Sequence, residues 1–170
     1  MYRFCLLTSI LLCISIVPLF AQLGPDLPQR TATVKATQAL NIGDITILSG
    51  SSGGTVSVDH NGIRSSTGSV IMLNMGNMVQ PAIFEVKICP GRMINVTFPT
   101  TTTLYGNNGG SMVLHIGPTS IGGSGSTFIS NKGCDDIHLI RVGGTLDVGS
   151  IGSNPAGLYS GTFTLTFVQQ

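Results

Sequence analysis

The sequence predicts an all-β fold in which short antiparallel strands close into a sandwich or barrel. Three observations predict it. Apolar side chains recur at period two: Ala82, Phe84, Val86 and Ile88 interleave with Ile83, Glu85 and Lys87, and Ile94, Val96 and Phe98 with Asn95 and Thr97. Phe163, Leu165 and Phe167 likewise interleave with Thr162, Thr164 and Thr166. Alternation sends one set inward and the other to water, as in an antiparallel sheet with one wet face. Turn-forming groups punctuate the runs: Ser52-Gly53-Gly54, Asn61-Gly62, Pro90-Gly91, Asn107-Asn108-Gly109-Gly110, Gly122-Gly123, Gly143-Gly144 and Asn154-Pro155. No stretch after residue 21 shows a convincing 3.6-residue period.

The elements follow in chain order. Residues 1–21 have the three-part layout of a secretory signal: Arg3, an apolar run over residues 4–17, then Pro18 and the small Ala21 before Gln22. The run is shorter than the ~20 residues a bilayer-spanning helix needs. No later segment is apolar enough to span as a helix. The expectation is an exported protein with no membrane span after cleavage. Cys13 follows Leu12, not Gly or Ala, which argues against a lipoprotein cleavage site. Residues 22–30 (QLGPDLPQR) read as a flexible leader, and 31–170 as one sandwich domain. Strands are expected near 31–42, 44–48, 54–59, 63–66, 69–75, 82–88, 93–98, 111–116, 137–148 and 158–168. Residues 54–64 (GTVSVDHNGIR) form the clearest hairpin, with Asn61-Gly62 offering the two positive-φ positions of a type I′ turn. Residues 117–133 read as a Gly/Ser-rich loop around Phe128. Gly143-Gly144 and Gly161 suit bulges or close backbone approach. Tyr159 is a candidate corner residue whose hydroxyl bonds to backbone.

Composition narrows the function. Of 170 residues only 9% are charged, and the formal net charge is +1. Nucleic-acid and anionic-membrane binding run on clustered Lys and Arg, which this chain lacks. A hydrophobic fraction of 42% also excludes a disordered chain. Cys5 and Cys13 leave with the signal, while Cys89 and Cys134 remain. Two cysteines in an exported chain most simply pair; closing this loop is worth about 4 kcal/mol in loop entropy. Two free thiols are the alternative. A zinc site is disfavoured, because the two lack the paired spacing of zinc motifs.

No chemical constellation assembles from the remaining residues. His60, His115 and His138 are scattered, without H-x-H or H-x-x-x-H spacing. Asp135-Asp136 lack a calcium-loop context and read as a solvated turn. Asp59-His60-Asn61-Gly62 fits a hairpin turn better than a calcium loop. Residues 51–54 and 122–125 are Gly-rich, but neither leads from a strand into a helix, as a phosphate cradle requires. G-x-S-x-G is absent, and 7 carboxylates leave little scope for a glycosidase pair. Asn95-Val96-Thr97 is formally a glycosylation sequon. The reading is therefore no enzyme, no cofactor, no metal, and no catalytic residue. The only site residues assigned are the disulfide candidates Cys89 and Cys134.

Three stretches carry a family resemblance: residues 53–70 (GGTVSVDHNGIRSSTGSV), 81–104 (PAIFEVKICPGRMINVTFPTTTTL) and 142–167 (VGGTLDVGSIGSNPAGLYSGTFTLTF). Their order and spacing resemble the secreted bacterial family catalogued as domain of unknown function 4402. Its pattern runs G-G-T-V-x-V, a Gly-rich hairpin, P-A-x-F-x-V, I-x-V-T-x-P, V-G-G-T-L-x-V and G-x-Y-S-G-T-F. The resemblance spans nearly all of 31–168 and implies an exported, immunoglobulin-like antiparallel β-sandwich. The last strand, residues 157–163 (GLYSGTF), is similar to that of pilin-type, spore-coat-U-like domains. The resemblance transfers no catalytic residue.

Two functions follow as expectations. The first is an exported, non-catalytic structural or adhesive surface protein, secreted, cell-surface or periplasmic. It would be a fimbrial-type subunit that pairs by strand addition with copies of itself or other surface subunits. Residues 31–42 are then the donor, with Ala32, Val34, Ala36, Leu40 and Ile42 inward. The second is a self-contained extracellular module binding protein or carbohydrate through its end loops. With no Trp, and only Tyr105, Phe128 and Tyr159 as loop aromatics, it has little to stack on a sugar.

Overall fold

The computed structural model describes residues 31–170. The expected signal peptide (1–21) and leader (22–30) lie outside the described residues. Alternation and turn chemistry give thirteen strands within them. These are β1 (Thr33–Gln38), β2 (Ile45–Ile47), β3 (Gly54–Val58), β4 (Arg64–Gly68), β5 (Val70–Met72), β6 (Ala82–Lys87) and β7 (Met93–Thr97). Then come β8 (Thr101–Gly106), β9 (Ser111–Thr119), β10 (Ser126–Ile129), β11 (Ile137–Val148), β12 (Tyr159–Ser160) and β13 (Thr166–Gln169). Every ladder is antiparallel.

One large sheet runs β1-β6-β11-β9-β8-β12, with β3 beside β11 and β4 outside β3. Two smaller sheets, β10-β7-β13 and β2-β5, complete the sandwich-like arrangement. The long strand β11 organises the large sheet. Its first half pairs with β6, from Ile137↔Lys87 to Val142↔Ala82, and its second half with β3, from Gly144↔Val58 to Val148↔Gly54. β9 holds the opposite edge. The handover falls at Gly143, where an added Cβ would collide with the Val58 carbonyl oxygen and sit 2.9 Å from the Asp59 carbonyl carbon. Only glycine lets the two backbones pass this closely.

Two apolar cores result. The first is built from Val86, Ile88, Ile94, Val96, Ile140, Val142 and their neighbours, between β6–β11 and the β10-β7-β13 sheet. The second joins Val56, Val70, Met112, Leu114, Leu146 and Val148, with Ile42, Ile45 and Ile47 of the β2 region against it. Leu40 packs on both. The alternation that predicted β6 and β7 thus decides which of their side chains are buried, since residues i and i+2 share a face.

The structure differs from expectation in five places. Residues 117–133 are not one loop: β9 runs on to Thr119, and β10 pairs with β7. Residues 101–106, where no strand is expected, form β8. Residues 158–168 are not one strand. Continuing the Ser160↔Tyr105 register would set Thr166 opposite Pro99, yet Thr166 pairs with Thr97. The ladder breaks where the ribbon passes between sheets, beside Pro99, which has no N–H to give. The 54–64 hairpin forms with Val58↔Arg64 as its last pair, but its turn is not type I′. Only Gly62 takes positive φ, at 86°. Asp59 O accepts from Gly62 N at 3.0 Å, while Asp59 Oδ1 accepts from Asn61 N and Ile63 N at 2.9 and 2.7 Å. The aspartate closes the turn with its own side chain, so Asn61 need not turn left-handed.

The fifth difference is β1. Val34 pairs with Val86 and Ala36 with Phe84, so their side chains take the inward face. β1 is an edge strand held by β6 alone, and Val34 stays 40% exposed. Ala36 is exposed as well, while Ala32, Leu40 and Ile42 reach the cores. Residues 33–38 therefore pair within their own chain.

Candidate functional site

The chemistry-bearing side chains do not converge. His115 lies on β9, and its Nε2 meets Asp147 Oδ2 of β11 at 2.7 Å, with both side chains 50% exposed. The two are diagonal neighbours across the ladder, since Thr145 is the residue opposite His115. His138 packs its ring 5.3 Å from that of Phe128, and its Nε2 is 2.9 Å from Ser130 Oγ. Burial first, and Lys132 second, hold this imidazole below the usual histidine range, against the pull of Asp136. His60 lies in the β3–β4 turn. Among the described residues no group of three or more His, Cys, Asp or Glu is placed to hold a metal ion.

Cys89 and Cys134 are disulfide-bonded. They follow β6 and precede β11, just beyond the Lys87↔Ile137 pair, so the bridge clamps the end of that ladder. Asp136 Oδ2 accepts from Gly133 N at 2.9 Å and closes the turn that contains Cys134. Tyr159 behaves as a corner residue: its hydroxyl donates to Pro155 O at 2.8 Å. Asp59, held below the usual carboxylate range first by its bond from Ile63 N, works within the hairpin turn.

What the fold does build is an apolar groove of about 660 Å³. Its floor is Leu104 of β8, Met112 and Leu114 of β9, and Leu146 and Val148 of β11. Residues 39–47, including β2, form one wall, and 154–161 with Phe163 the other. The groove thus lies over the large sheet, between the β2 region and the segment that leads from β12 toward β13.

Both banks carry backbone without ladder partners. Leu73 N donates to Asp44 O at 2.9 Å and Leu48 N to Ser69 O at 3.2 Å. In an antiparallel pair the bonds to one neighbour come from alternate residues. Asp44, Thr46 and Leu48 therefore face β5, and the N–H and C=O groups of Ile45 and Ile47 point to the other edge of β2. On the far bank residues 161–165 join no ladder, although Thr162 O accepts from Thr102 Oγ1 at 2.8 Å. Apolar floor plus open backbone edges can receive an extended chain, with alternate side chains inserted and main-chain bonds along the rim. A gap in a layer has no motif, so sequence reasoning missed this groove. The alternation of Met112, Leu114 and Ile116 signals only its floor.

Comparison with curated proteins and with solved structures gives no match for this chain. Comparison with family models does. Residues 32–168 match the family described as "Domain of unknown function (DUF4402)", so the chain belongs to that family.

Proposed function

We propose that the protein is an exported, non-catalytic structural or adhesive module of the cell surface, a fimbrial-type subunit that assembles by strand addition. The observation that carries this reading is the apolar groove, with the unladdered edge of β2 on one bank and residues 161–165 on the other. The Cys89–Cys134 disulfide supports it, since it suits an oxidising compartment. The partners are copies of itself or other surface subunits. The immunoglobulin-like reading of the sandwich belongs to the same proposal and is supported by its layered antiparallel sheets. The donor is an extended segment of a neighbour, because residues 33–38 are engaged by their own β6.

That same engagement favours the second reading, a self-contained extracellular module that binds protein or carbohydrate. Size exclusion with light scattering over a concentration series, combined with amide exchange, separates the two. Strand addition predicts a ladder of oligomers in which the Ile45 and Ile47 amides gain protection while Thr46, already facing β5, does not change. A monodisperse monomer whose Ile45 and Ile47 amides exchange freely at every concentration would overturn self-assembly and leave the binding module.

A further inference from the structure

We infer that Met72, Met75 and Met78 form a thioether site for a soft monovalent cation, Cu(I) or its analogue Ag(I). The chain has 6 methionines, and three of them fall at three-residue spacing within residues 72–78 (MLNMGNM). These three are 40%, 73% and 74% exposed, whereas Met112 in the second core is 6% exposed. Long apolar side chains left in water gain nothing from burial. Packing therefore gives no account of Met75 and Met78.

The segment is anchored at both feet by one residue. Asp44 O accepts from Leu73 N at 2.9 Å, and Asp44 Oδ1 accepts from Asn77 Nδ2 at 2.7 Å. Arg64 Nη1 adds a bond to Leu73 O at 3.1 Å. Met72 precedes the first foot, Met78 follows the second, and Met75 stands between them. Three unbranched side chains thus leave a loop that is pinched at its base, and each has the rotational freedom to turn its sulfur toward the others. Neutral sulfur donors select soft, d10 monovalent ions over hard cations, which prefer oxygen. The Asp44 carboxylate at the foot is offset by the Arg64 guanidinium, which donates to the Asp44 carbonyl oxygen, so the donor set is the three neutral sulfurs. Unlike the two cysteines, thioethers neither need deprotonation nor pair with one another, so the donors survive where thiols become disulfides. The site is independent of the strand-addition reading.

The test uses the full secreted chain, with methionine methyl groups labelled for NMR and silver ion as the probe in chloride-free buffer. The expected result is that the Met72, Met75 and Met78 methyl signals shift together and saturate at one ion per chain, while Met93 and Met112 stay in place. Loss of groups that merely orient a ligand already costs about 10–100-fold in metal affinity, so Met75→Leu is expected to cost at least tenfold. Replacing all three by leucine, which conserves volume, should abolish the one-ion binding while the remaining spectrum keeps its dispersion. Two results overturn the proposal. One is no shift of the loop methyls at saturating silver, which would leave the exposed methionines as an apolar contact patch. The other is unchanged silver uptake in the triple leucine variant, which would assign binding to His60, His115 or His138.

Discussion

Asn154 offers the sharpest test of how the groove wall is held. The residue is 6% exposed. Oδ1 accepts from Gly149 N at 2.6 Å, and Nδ2 donates to Ser111 O at 2.7 Å. One amide thus ties the loop after β11 to the start of β9. Asn154→Ala removes both bonds at once. A buried group left unsatisfied costs about 1–3 kcal/mol. Gly149 is half-buried and pays most of that cost, while Ser111 is exposed and water replaces its lost donor. The sum is about 2–3 kcal/mol, or a fall in Tm of roughly 5–10 °C for a chain of this size. Asn154→Asp refines the test. It keeps the acceptor toward Gly149 but faces Ser111 O with an oxygen. A protonated carboxyl restores the donor, so folding raises this carboxyl's pKa above its unfolded value of about 3.9. Such a group contributes stability that is present below the unfolded pKa and lost as pH rises through the folded one. The deficit of the Asp variant relative to the parent should therefore grow between about pH 4 and pH 7. Thermal melts of the three proteins at both pH values decide the matter. An Ala variant melting within about 1 °C of the parent, or an Asp deficit indifferent to pH, would refute the double-clamp account.

Three further outcomes follow. Gly143→Ala places a methyl group against the Val58 and Asp59 backbone, which cannot swing away, and should cost at least ~2 kcal/mol in urea unfolding. Gly123→Ala, where nothing lies within 4 Å, is the control and should stay within about 0.5 kcal/mol. Reduction of the Cys89–Cys134 bridge, which spans 45 residues, should lower stability by about 4 kcal/mol, read as a drop in the urea midpoint; an unchanged midpoint would show the bridge to be energetically idle. For His138 the folded pKa is depressed, so its contribution is complete above the unfolded value of about 6.5 and is lost as pH falls through the folded one. An NMR titration should place its midpoint below that of a free imidazole, and His138→Gln should flatten the acid-side loss of stability.

The sequence is legible wherever burial enforces alternation. Ala82, Phe84, Val86 and Ile88 announce β6 because their face must be apolar from end to end. Cys89 and Cys134 are legible by elimination once export is expected from the N-terminal sequence. β8 is not, because Thr101, Thr102 and Thr103 give no alternation; its assignment comes from the Leu114 and Met112 partners across the ladder. β10 is hidden because four residues among glycines and serines read as loop until β7 supplies its edge. β1 shows the converse limit. Its alternation is real and its register puts Val34 and Ala36 on the inward face, but pattern cannot say that the opposing layer stops short of an edge strand. The turn at 59–62 fails for a local reason: the Asn-Gly pair suits a type I′ turn, but the preceding aspartate offers a cheaper closure with one positive φ.

The groove follows from the same shortfall of cover. The large sheet holds eight strands, while the layer against it is divided between a three-stranded and a two-stranded sheet with no ladder between them. Leu40 packs on both cores and bridges them at one point, but a single side chain cannot satisfy a row of backbone groups. Had the groove been closed within the chain, the free edge of β2 would carry a ladder partner, and none of the ladders supplies one. On the far bank the terminal ribbon slips by two residues, and Thr102 Oγ1 caps a single carbonyl, that of Thr162. An exposed edge of this kind invites pairing with another chain. β2 is short, at three residues, and this limits the hazard without removing it. The amides of Ile45 and Ile47 are therefore the place where strand addition and a closed binding module make opposite demands on one observable.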